Sequence, residues 1–117
     1  MKAVSWEFAF RKLNEWREHK WLITVGKVGL TESHDETSTM FLGSSGSRVE
    51  AVDETAGTVT FLGEGTKSLM GATFKFSGFE DLPFNEAELD PSQYAEALEA
   101  NFPDGSTLLF AREWDVG

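Results

Sequence analysis

The chain has 117 residues with 20 acidic and 10 basic side chains, a net charge of −10, four Trp, ten Phe, one Tyr, two His and no Cys. One domain of this size buries enough surface to fold without disulfides or metals, and a chain without cysteine cannot use thiolate catalysis, disulfides or Cys-ligated zinc and iron–sulfur centres. The acidity argues against binding a phosphate backbone, which calls for clustered Lys and Arg. The charge is uneven: residues 1–30 carry six basic and three acidic groups, leaving four basic and seventeen acidic for the rest.

The first residues, MKAVSWEFAFRKLNEW, hold no apolar run of the kind a secretory signal needs, and no window is apolar enough for a transmembrane helix. A cytoplasmic protein without membrane contact is the expectation. Residues 5–20 predict an amphipathic helix, with Trp6, Ala9, Phe10, Leu13 and Trp16 in one stripe and Ser5 as N-cap. Phe8 falls off that stripe, among Lys12, Glu15 and His19. His19 reads as a solvated residue at the helix C-terminus, where the dipole favours a cation.

Residues 21–30 (WLITVGKVGL) switch to β-branched and apolar types and predict a strand, with Gly26 and Gly29 as places for a bulge or bend. A polar loop is expected over 31–36, a strand over 37–42, and a flexible connection at Gly43–Ser47. Val49–Val52 and Thr58–Leu62 flank Asp53-Glu54-Thr55-Ala56-Gly57, the pattern of a hairpin whose Gly57 takes positive φ. Gly63–Ser68 has a faint likeness to a phosphate loop, but Thr66 precedes Lys67 where Gly is required and no helix follows. From 70 to 79, Ala72, Phe74 and Phe76 alternate with Thr73, Lys75 and Ser77, as in a strand with one buried face.

Residues 80–90 (EDLPFNEAELD) read as an irregular acidic loop without the spacing of a calcium site. A second helix is expected from Asp90 to Phe102: Asp90 as N-cap, Pro91 at the first helical position, Gln93 closing a capping box, and Tyr94, Ala95, Leu98 and Phe102 on one face. Asp104-Gly105 turns into a last strand, 107–114. The expected class is therefore α+β. An N-terminal helix is followed by a strongly bent, mostly antiparallel sheet of five or six strands, open or curled into a small barrel, and a second helix precedes the last strand.

Four aromatics have no core address in this pattern: Phe8, Phe79, Phe84 and Trp114. Aromatics ringed by charge have the composition of an interface hot spot, so these four are the candidate partner-binding residues. The leading reading is a non-enzymatic interaction module without cofactor. It acts by self-association or by binding a protein partner through exposed aromatics and an acidic surface. Three others stand beside it: a small apolar ligand held by Phe74, Phe76 and Phe110; a hydrolase or lyase using His34 with Asp35 or Glu36; and an acidic inhibitor of a basic target.

Overall fold

The computed structural model describes residues 2–33, 36–78 and 94–114, and of residues 27–33 and 36–45 the backbone alone. The elements in chain order are β1 (Lys2–Val4), α1 (Trp6–His19), β2 (Ile23–Ser33), β3 (Glu36–Ser47), β4 (Val49–Asp53), β5 (Thr58–Phe61), β6 (Gly65–Ser68), β7 (Thr73–Gly78), β8 (Tyr94–Asn101) and β9 (Thr107–Glu113). The single helix among them begins as its sequence dictates, the Ser5 hydroxyl accepting the Phe8 N–H at 3.1 Å. It ends on Lys20 in the left-handed region at φ 55°. The Lys20 N–H bonds back to the helix, and the Trp21 N–H reaches the Trp16 carbonyl at 3.2 Å. This αL reversal satisfies the last carbonyls and turns Trp21 back along the helix end.

Two sheets follow. The larger has the order β1-β7-β8-β9-β2-β3 and the smaller β4-β5-β6, with every neighbouring pair antiparallel. The class is α+β with an N-terminal helix. The barrel is not supported: the larger sheet has two ends, at β1 and β3. α1 lies against one face of the larger sheet beside the smaller one, with Ala9, Phe10, Leu13 and Trp16 in the same core as Val59 and Phe61 of β5 and Phe74, Leu98 and Phe110 of the larger sheet. Phe61 stacks on Phe110 with ring centres 4.9 Å apart, and Phe10 meets Phe74 edge-on at 6.3 Å.

The second helix is a correction. Tyr94–Asn101 is β8, an interior strand paired to β7 on one side and β9 on the other. The segment also carries a period of two, Glu96, Leu98 and Ala100 on the helix side and Ala97 and Glu99 on the other. Hydrogen bonding on both flanks together with burial outweighs the helix propensity of Ala, Leu and Glu, worth well under about 1 kcal/mol per residue. The capping residues Asp90, Pro91 and Gln93 lie outside the described residues, as does the acidic loop.

Smaller differences have the same origin. The chain between β2 and β3 is shorter than the expected loop, and β3 runs through Gly43–Ser47, paired to β2. The bulge falls between Ile23 and Val25, not at Gly26 or Gly29. The β4–β5 hairpin forms as expected, with Gly57 at φ 69° and the Asp53 carboxylate accepting the Ala56 N–H at 3.0 Å. At Asp104 the Ser106 hydroxyl, then the Ser106 backbone N–H, hold the carboxyl below its ordinary value in the turn before β9.

β7 does not have one buried face only. The register sets Ser77, Ala97, Ala111 and Thr24 in one row across β7, β8, β9 and β2, on the face away from α1. All four are buried. Among the described residues no helix is long and apolar enough to cross a membrane.

Candidate partner-binding surface

On the helix side, the row beyond Leu98 and Phe110 pairs Glu96 of β8 with Arg112 of β9. A carboxylate on a face otherwise apolar needs partners, because an unpaired buried charge is costly. Lys12 and Trp16, one turn apart on α1, supply them from above. Glu96 Oε1 receives Lys12 Nζ at 3.0 Å, while Oε2 receives the Trp16 indole N–H at 2.8 Å and lies 3.4 Å from Arg112 Nε. Burial pushes the Glu96 carboxyl up, but the hydrogen bonds from Trp16 and Lys12 and the charges of Lys12 and Arg112 outweigh it, so its pKa lies below the ordinary value. Both oxygens are engaged and the proton affinity is low, which suits a structural anchor and not a general base.

The two cations each face aromatic rings as well. The Arg112 guanidinium sits 4.5 Å from the Trp21 ring centre and 5.9 Å from that of Trp114. Lys12 Nζ lies 5.2 Å from the Phe76 ring. Phe76 meets Phe8 edge-on at 5.2 Å, and the Arg11 guanidinium lies 5.5 Å from Phe8. His19 leans on Trp21, with ring centres 5.7 Å apart. The result is one band across α1, β7, β8 and β9 that runs Arg11, Phe8, Phe76, Lys12, Glu96, Arg112, then Trp21 and Trp114. Phe8, Phe76 and Trp21 are half-buried, and Trp114 is 38% exposed.

Of the four aromatics singled out from sequence, Phe8 and Trp114 therefore stand at opposite ends of this band. Phe79 and Phe84 lie outside the described residues, as do His34 and Asp35, while Glu36 opens β3. His19 is exposed at the helix end. Phe74 and Phe110 are core residues. Sequence reasoning missed Lys12, Trp21, Glu96 and Arg112 as members of one site. The available signal was Glu96 itself, a charge interrupting the alternation that Leu98 and Ala100 continue. Among the described residues no three His, Asp or Glu side chains gather as a metal site would require. No protein-family model, curated protein or solved structure matches this chain.

Proposed function

We propose that the protein is a non-enzymatic interaction module whose aromatic–cationic band, from Phe8 to Trp114, binds a protein partner. One observation carries this reading: four partly or well exposed rings each have a cation or another ring packed against them, and Glu96 fixes the two central cations from beneath. Trp and Arg are the residues that most often anchor interfaces, and rings already held in place lose little freedom on binding. Each cation–ring contact contributes on the order of 0.5–1 kcal/mol at an exposed site and more once a partner excludes water. The acidic remainder of the chain favours partners carrying basic groups around the contact.

The test is affinity capture from native cells with the intact chain and with a Phe8→Ala/Trp114→Ala variant that melts cooperatively. A partner retained by the first and lost by the second, with binding at least about tenfold weaker on titration, supports the band. A partner held equally by both, or capture of nothing by either, overturns it.

A further inference from the structure

The strand edges of this protein are protected unequally. β1 closes one side of the larger sheet with three residues, Lys2 among them. In the smaller sheet, β4 has five residues with Glu50 and Asp53, and β6 has four with Lys67. Short length and charge are the usual means of keeping an edge from pairing. β3 uses neither. It is twelve residues long, contains no Pro, Lys or Arg, and carries its one charge, Glu36, at its first position. Among the described residues no strand pairs with its outer side. Its irregularity is confined to the base, where the register shifts and Gly46 gives its N–H to Glu113 at 3.0 Å.

The ribbon also outruns its support. β9 pairs with β2 only from Ile23 to Val28, whereas β3 follows β2 as far as Ser33. From Gly29 onward β2 and β3 have each other alone among the described strands. A two-stranded ribbon is marginal in water, and a third strand stabilises it by filling one row of open N–H and C=O groups.

We propose that this row is filled by β3 of a second copy, antiparallel about a two-fold axis, so that the two larger sheets become continuous. Antiparallel pairing of identical strands is self-complementary and closes at two chains. A register centred on Met40 pairs the whole of 36–44, setting Met40 opposite Met40, Thr39 opposite Phe41, Ser38 opposite Leu42, and each Glu36 opposite an uncharged Ser44. The net charge of −10 is thus kept off the contact. A partner of opposite charge would find a single carboxylate on this edge to recognise, whereas an identical strand finds apolar residues at its centre and no like charge facing another.

Sedimentation of the intact chain decides this. The expected mass is twice 13.0 kDa. The Ser38→Lys/Leu42→Lys variant, which sets lysines opposite lysines, is expected to dissociate at least about tenfold more readily while keeping its circular dichroism and melting transition. Because the native chain has no Cys, a Ser38→Cys/Leu42→Cys variant has only the other copy to bridge to at these opposed positions, and is expected to form a covalent dimer under mild oxidation. A Thr66→Cys control on β6 is expected not to. A native chain that sediments at 13.0 kDa at every concentration overturns the proposal. So does a dimer that survives the lysines, or, should the lysine variant misfold, one that the paired cysteines fail to link.

Discussion

Trp16 is wholly buried, yet its indole N–H reaches Oε2 of Glu96 at 2.8 Å, across 80 residues of sequence. This bond makes Glu96 the fixed point between helix and sheet. Glu96→Leu leaves the indole donor unpaired and Lys12 and Arg112 without their shared counter-charge, and costs about 3–5 kcal/mol. Glu96→Gln keeps an acceptor for Trp16 and costs less, about 1–3 kcal/mol. Urea unfolding followed by tryptophan fluorescence measures both, and equal losses would show that the hydrogen bond to Trp16 carries nothing beyond the charge.

The same carboxylate makes stability pH-dependent. Its folded pKa is depressed below the ordinary 4.5, so its contribution is complete above that value and is lost as pH falls through the folded pKa. Stability is expected to decline from about pH 4.5 downward, and the Glu96→Gln protein to decline less steeply over that range. Matched unfolding curves from pH 7 to pH 3 would reveal the difference, and parallel slopes would contradict it.

Arg112 fills two roles that lysine cannot combine, a broad guanidinium over the Trp21 ring and an Nε 3.4 Å from Glu96 Oε2. Arg112→Lys is expected to lower stability by about 1 kcal/mol and to shift the tryptophan emission, because the ring of Trp21 loses its cover. Emission and unfolding midpoint unchanged from the native protein would argue that the contact is incidental.

Gly57 and Gly63 separate backbone strain from crowding. Both have positive φ, 69° and 79°. A methyl group on Gly63 meets open space, whereas one on Gly57 comes within 2.6 Å of Met70 Sδ and 2.9 Å of the Trp6 ring. Gly63→Ala is expected to cost about 1 kcal/mol from conformation alone, and Gly57→Ala about 1–3 kcal/mol more as Met70 and Trp6 give way. Similar melting temperatures for the two variants would be the contrary result.

The buried row on the face away from the helix is sensitive to size. Ala97 and Ala111 face each other there at 0% exposure. Ala97→Leu is expected to destabilise by about 1–3 kcal/mol through overpacking, while Lys75→Leu, on the same face of the neighbouring strand but exposed, is expected to change little. Thermal unfolding of the pair is the check.

What could be read from sequence was what local chemistry decides. α1 has its cap and stripe within one segment, and the β4–β5 hairpin has its turn residue at the required position. β8 was misread because Ala95, Ala97, Leu98 and Glu99 favour a helix when taken alone, and only the flanking β7 and β9 make them a strand. Gly43–Ser47 looked like a connection because Gly and Ser carry little β propensity, and pairing with β2 overrides that. The binding band divides in the same way. Phe8 and Trp114 could be noticed because they break a pattern, whereas Glu96, Lys12, Trp21 and Arg112 meet only after the sheet has formed.

The strand order also constrains how the molecule is made. Among the described strands, β9 is the sole bridge between the β2–β3 ribbon, formed from early sequence, and the β1-β7-β8 group. On a ribosome, which releases the N-terminal part first, the ribbon and the helix can form early but have no sheet to join until residues 107–113 emerge. Assembly of the larger sheet is therefore a late event in synthesis, and a chain stopped before Thr107 leaves two unconnected half-sheets with their inner edges open.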